Sequence, residues 1–142
     1  MPRYEATRVL PATVDEVWAV LADPARWTEW WPGLEMAEST VRRALAPGAL
    51  WQIEGAARPS ALRRPQVSGG SLLFLDVVPM KRVAFQLTSD RTEAALDLES
   101  AAGDGETVAR LAVQSPWLGG VRRTVASDAL AKLATLVRAP AG

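Results

Sequence analysis

The hydrophobic pattern changes period three times along the chain. Tyr4–Leu10 alternates loosely between polar and apolar residues and predicts a first strand, ended by Pro11. Val14, Val17, Trp18 and Leu21 then recur at helical spacing. Thr13-Val14-Asp15-Glu16 at the start of that run reads as a capping box, the Thr13 hydroxyl accepting from the Glu16 amide and the Glu16 carboxylate from the Thr13 amide. Asp23-Pro24 stops this helix and starts another, because Asp can cap and Pro suits the first helical position. The second helix is short and carries Trp27, Trp30 and Trp31 before Pro32-Gly33 ends it. Trp30 and Trp31 are adjacent, so the three indoles are not expected to point one way. At least one is expected inside and one partly exposed.

From Leu34 to Gln114 the period is that of strands. Glu35–Arg42 is a weak strand, Pro47-Gly48 a turn, and Leu50–Gly55 alternates with Trp51 and Ile53 on one side. Residues 56–70 hold Pro59, Pro65 and Gly69-Gly70 with Arg58, Arg63 and Arg64, and read as a loop or irregular edge. Leu72–Val78 is an almost unbroken apolar strand, Pro79-Met80-Lys81 a turn, and Val83, Phe85 and Leu87 alternate in the strand after it. Thr92–Glu99 and Glu106–Gln114 flank Gly103-Asp104-Gly105 as a hairpin. With Asp104-Gly105 as a two-residue turn, Glu99 faces Arg110, Leu98 faces Leu111 and Leu96 faces Val113.

After Gly119-Gly120, Val121, Val125, Ala129, Leu133 and Leu136 form one stripe, widened by Ala126, Leu130 and Val137. This predicts an amphipathic helix over about Leu118–Arg138 that is covered on much of its circumference. Strands joined by short turns are antiparallel, and one long helix after them covers a face of their sheet. The expected class is therefore α+β: about seven antiparallel strands, two short helices after the first strand, and a long C-terminal helix. No repeat or linker interrupts residues 1–142, so one domain is expected.

Composition narrows the chemistry. The 142 residues are 49% hydrophobic and 23% charged, an ordinary globular balance. Sixteen basic residues match sixteen acidic ones, so charge supplies no reason to expect nucleic acid or an anionic membrane as partner. Near-zero charge also leaves little repulsion against self-association, so both monomer and homodimer stay open. There is no Cys and no His, which removes disulfides, thiol nucleophiles, Cys- or His-based zinc sites and His-centred triads. Acid–base chemistry would fall to Asp, Glu, Lys or Tyr. No phosphate-binding glycine loop, dinucleotide fingerprint or nucleophile elbow occurs, and no cofactor is expected. Met1–Leu10 has no basic stretch leading into an apolar run, and no apolar segment approaches the ~20 residues that span a bilayer, so a cytoplasmic location without a membrane span is the expectation. Only two basic residues are Lys and Ala is abundant, a bias that suggests a GC-rich bacterial genome.

Several segments carry a family resemblance. Pro11-Ala12-Thr13-Val14-Asp15-Glu16-Val17-Trp18, Leu21-Ala22-Asp23-Pro24 and Trp30-Trp31-Pro32-Gly33 resemble the SRPBCC group of START-like, Bet v 1-like helix-grip domains, and in particular its polyketide cyclase/dehydrase-like branch. Val78–Val83 and Gly105-Glu106-Thr107-Val108 resemble later segments of that family in the same order. The resemblance implies a curved sheet wrapped around the long helix, with a hydrophobic ligand held between the two. Some members are cyclases or hydrolases, others carriers or co-chaperone-like proteins, so the resemblance bears on fold more than on function.

Strand alternation puts Trp51, Ile53, Leu73, Leu75, Val77, Val83, Phe85, Leu87, Leu96, Leu98, Ala109, Leu111 and Val113 on the concave face. Gln52, Glu54, Asp76, Gln86, Asp97, Glu99, Arg110 and Gln114 fall on the other. The acids thus sit where solvent is. Under the resemblance, the ligand-lining set is Trp27, Trp30, Trp31, Trp51, Ile53, Leu75, Phe85, Leu87, Leu96, Leu111, Trp117, Val121 and Val125, with no catalytic residue assigned. A filled core and a cavity are lined by the same residue types, so the sequence leaves both open. The tryptophan helix can plug one end of the sheet or stack on a flat ligand at a cavity mouth. Arg58, Arg63 and Arg64 can be a solvated loop or an anion-recognising lid.

Overall fold

The structure, a computed structural model, describes residues 3–31, 34–39, 45–55, 70–87, 92–101, 105–114 and 124–138. The local signals near the N-terminus act as expected. Strand β1 (Arg3–Leu10) leads into helix α1 (Val14–Leu21). The Thr13 hydroxyl accepts from the Glu16 amide at 3.2 Å, and the Glu16 carboxylate accepts from the Thr13 amide at 3.2 Å. Asp23 accepts from the Ala25 amide at 3.1 Å and opens a 3₁₀ turn, Pro24–Arg26, with Pro24 at its start. This turn runs directly into α2 (Trp27–Trp30).

All three indoles of this segment are buried, against the expectation that one would be partly exposed. Two faces of this short segment are covered: Trp27 and Trp30 are in contact at 4.8 Å, and the Trp31 ring meets Trp30 at 5.6 Å and Phe85 at 5.2 Å.

Six further strands complete one seven-stranded sheet: β2 (Leu34–Glu38), β3 (Leu50–Gly55), β4 (Gly70–Val78), β5 (Arg82–Leu87), β6 (Thr92–Ser100) and β7 (Thr107–Gln114). Their order is β1-β7-β6-β5-β4-β3-β2, with every pair antiparallel. Consecutive strands pair by hairpin logic, and the first strand closes onto the last through eight matched residues, Arg3 opposite Gln114 to Leu10 opposite Thr107.

Two details differ from the sequence reading. The β6–β7 register is offset by two residues: Asp97 faces Arg110, Leu96 faces Leu111, and Glu99 faces Val108. The Ala101 amide donates to the Glu106 carbonyl at 3.0 Å, so four residues, not two, lie between the last bonded pair. Gly105 (φ 77°) is the last of them and takes the left-handed conformation that suits glycine. A shift of two keeps every side chain on its face, whereas a shift of one would have inverted the sheet.

The second difference lies in β4. Phe74 faces Phe85 and Asp76 faces Ala84, which leaves Leu75 as an extra residue in a β-bulge. Facing therefore reverses within the strand. Leu72 and Phe74 point inward before the bulge and Val77 after it, while Leu73 is half-buried and Leu75 is 48% exposed. The assignment of Leu73 and Leu75 to the concave face is thus corrected.

The C-terminal helix α3 (Val125–Arg138) is about 21 Å long. Residues 118–123, where the sequence reading began this helix, lie outside the described residues. Val125, Ala126, Ala129, Leu130, Leu133 and Ala134 are buried, with Leu136 and Val137 packed at the margin of the core. Each fully buried Leu contributes about 1.5–3 kcal/mol. The helix packs chiefly on β1, β7 and α2. The inner face of β3, β4 and β5 is met instead by the rings of α2.

Candidate functional site

The interior is built from two halves. Over β6 and β7, the inward residues Leu96, Leu98, Ala109, Leu111 and Val113 are buried, as is the facing stripe of α3. Over β3–β5, the wall is aromatic. Trp27 meets Trp51 of β3, Phe74 of β4 and Phe85 of β5 edge-to-face, with ring centroids 5.2, 5.7 and 4.9 Å apart. Trp51 packs on Phe74 at 4.6 Å and Trp31 on Phe85 at 5.2 Å. Such tilted pairs set the positive edge of one ring on the negative face of another and add roughly 0.5–1.5 kcal/mol each beyond area burial.

Trp30 stands on the far side of this network, in contact with Trp27 (4.8 Å) and Trp31 (5.6 Å). The two helical indoles differ in hydrogen bonding. Trp27 Nε1 donates to the Leu21 carbonyl at 2.8 Å and so caps the end of α1. Trp30 Nε1 is buried and has no partner.

No charged side chain is buried among the described residues. The buried hydroxyls are those of Thr92 and Thr107. The Thr107 hydroxyl donates to the Ala12 carbonyl at 2.8 Å, tying the start of β7 to the β1–α1 connection. Charges gather on the outer face. Arg82 Nη1 donates to both carboxylate oxygens of Asp97, at 2.8 and 3.0 Å, and Arg82 Nε lies 3.5 Å from the Asp76 carboxylate. Arg82 and Asp97 border two open depressions. One, of about 880 Å³, lies at the end of the sheet between the start of α1, the Pro79–Lys81 turn and the ends of β6 and β7; Val14, Met80, Leu98, Glu99 and Arg110 line it. The other, about 330 Å³, is a trough with Ala84, Ala95 and Ala112 along its floor.

Most of the expected lining set converges. Trp27, Trp30, Trp31, Trp51, Ile53, Phe85, Leu87, Leu96, Leu111 and Val125 are all buried in one connected core. Leu75 is turned to the outer trough by the bulge. Trp117 and Val121 lie outside the described residues, as do Arg58, Arg63 and Arg64. The sequence reading missed Phe74 and Leu72. The signal was there: Phe74 is the largest side chain of its strand and Asp76 the charged one, yet they share parity. Only an inserted residue lets one turn in and the other out.

A family model described as "Activator of Hsp90 ATPase homolog 1-like protein" matches residues 11–132. No curated protein matches the chain. Among solved structures, protein NE0264 from Nitrosomonas europaea superposes with a TM-score of 0.69 at 15% identity, over 96% of this chain and 94% of that one. The Aha1 dimer from Colwellia psychrerythraea, solved in solution, gives 0.68 at 15% identity, with 100% of each chain covered. DynU16, from the dynemicin biosynthetic locus, gives 0.63 at 19% identity over 96% of this chain and 47% of its own. Likeness at these identities is likeness of fold.

Proposed function

This chain belongs to the Activator of Hsp90 ATPase homolog 1-like family, within the SRPBCC group, and from that premise we propose that it binds a small hydrophobic molecule between the inner face of its sheet and the C-terminal helix α3. The observation that carries this reading is the chemistry of the inner wall. It is apolar across both halves and concentrates five aromatic rings, those of Trp27, Trp31, Trp51, Phe74 and Phe85, at one end. Such a wall suits a flat, aromatic or polyketide-like molecule and is unfavourable for a charged one, whose desolvation nothing there offsets. The described wall supplies no acid for general acid–base work, which puts binding ahead of a cyclase or dehydrase reaction.

Native mass spectrometry of freshly purified protein is expected to retain a neutral small molecule. A titration with fluorene is expected to change the indole fluorescence, and Trp51→Ala to weaken that binding. No retained mass together with an unchanged fluorescence would refute the reading.

A second reading, a protein-interaction module, is favoured by the apolar residues left on the surface: Val9, Leu50, Leu75, Val78 and Met80 are all more than a third exposed. The relative from Colwellia psychrerythraea is a dimer. Analytical ultracentrifugation across a concentration series tests self-association, and a chain that stays monomeric leaves that surface without a second copy as partner.

A further inference from the structure

Val78 and Met80 are exposed and line the depression of about 880 Å³ at the end of the sheet, and the exposed Val9 stands opposite Val108 on its wall. Val78-Pro79-Met80-Lys81 is a tight turn, closed by the Lys81 amide donating to the Val78 carbonyl at 2.9 Å. Pro79 fixes a negative φ at the first central position and Met80 has φ 65° at the second, which makes the turn type II. That second position favours Gly or Asn, and a Met there is strained. Among the described residues Met80 is the only residue other than glycine with a positive φ. Its side chain is 41% exposed, so the monomer gains little from burying it in return for the strain. The charges around the depression are of both signs. Arg82 and Asp97 neutralise each other. Lys81, Arg110, Asp15 and Glu99 also line it, and among the described residues none of these four has an ion-pair partner.

We infer that this end of the molecule is the contact face of a homodimer, with Met80 of each copy packed against the apolar lining of the other copy's depression. This rests on the protein-interaction reading and names its face and its partner. Two-fold symmetry sets a patch against itself, so the patch must be its own complement. Apolar surface always meets that condition. Charged surface meets it only when both signs are present in balance, as they are with Lys81 and Arg110 against Asp15 and Glu99. An occupant of one sign would leave the like-charged pair repelled. The whole chain, with sixteen acidic and sixteen basic residues, adds no net repulsion between copies. Methionine suits the contact because its unbranched, polarizable side chain adapts to the surface it meets.

Sedimentation at low salt, from about 1 μM to about 1 mM chain, is expected to show a monomer–dimer equilibrium. Met80→Asn separates a contact role from a merely structural one, because its two effects are opposite in sign. It relieves the turn and is expected to raise the melting temperature of the dilute monomer by about 1–4 °C, and it removes the contact and is expected to weaken dimerisation by about 5- to 30-fold. Two charge variants test complementarity without assuming which residues meet. Lys81→Glu/Arg110→Glu leaves the four free charges all acidic, and Asp15→Lys/Glu99→Lys leaves them all basic. Each variant alone is expected to stay monomeric, and an equimolar mixture to dimerise. Met80→Asn, at an exposed turn, decides the question even if a charge variant does not fold. Dimerisation that Met80→Asn leaves unchanged, or charge variants that each still dimerise alone, would overturn the inference and leave self-association through another face standing. A wild type that stays monomeric at every concentration would overturn the inference and self-association together.

Discussion

Trp27→Phe and Trp30→Phe make the same chemical change at two positions with the same burial, 1% and 0% exposed, and opposite hydrogen bonding. Each loses the area of the larger ring, a cost of about 1–2 kcal/mol. At Trp27 the change also strands the Leu21 carbonyl. Leu21 has no solvent exposure, so the lost partner is not replaced by water, and about 1–3 kcal/mol is added. At Trp30 the change removes an unpaired donor, and relief of a similar size offsets the lost area. Trp27→Phe is therefore expected to destabilise by about 2–5 kcal/mol, and Trp30→Phe to lie within about 1 kcal/mol of wild type. At this chain length about 3–4 °C of melting temperature corresponds to 1 kcal/mol, so the two variants should melt well apart. Urea unfolding of ligand-free protein, followed by far-UV circular dichroism because the substitutions alter the indole signal, supplies the midpoint and slope. Equal losses at the two positions would refute the reasoning, since the only term that separates them is the hydrogen bond.

Three other outcomes follow from the same geometry. Leu133→Asp places a charge where α3 meets the core and should abolish cooperative unfolding; a soluble Leu133→Asp protein with a sharp melt would sink the packing of α3 on the sheet. A double-mutant cycle on Arg82 and Asp97, whose side chains are 40% and 48% exposed, should return a coupling of about 0–1 kcal/mol that fades in salt, whereas Glu99 and Arg110, diagonal rather than opposite, should show a smaller one. Thr107→Val keeps the shape but leaves the Ala12 carbonyl without its donor, so a loss of about 1–3 kcal/mol by urea unfolding is expected, and an unchanged midpoint would count against that bond.

Legibility in the sequence followed the range over which each feature is encoded. The capping box of Thr13 and Glu16, the Asp23-Pro24 restart and the stripe of α3 are each written within a few residues, and the structure has them where the pattern puts them. Inward and outward faces were readable for β3, β5, β6 and β7 because period-two alternation survives even a two-residue error in pairing. The pairing itself was not readable. Asp97 and Glu99 are equally plausible partners for Arg110 until the length of the connecting loop is known, and Ala101 bonding to Glu106 decides it. The bulge at Leu75 lies in a run of apolar residues at both parities, and its one sign, Phe74 and Asp76 on the same parity, does not say which residue is the inserted one. The burial of Trp30 beside Trp31 depended on what covers each of them, and the different states of the Trp27 and Trp30 nitrogens on which carbonyls lay within reach. One such acceptor, Leu21, is six residues away, and the Thr107–Ala12 bond spans ninety-five. Period and capping act through neighbours in the chain and so are present in the sequence alone; facing across a bulge, register and the satisfaction of a buried donor depend on groups that only folding brings together.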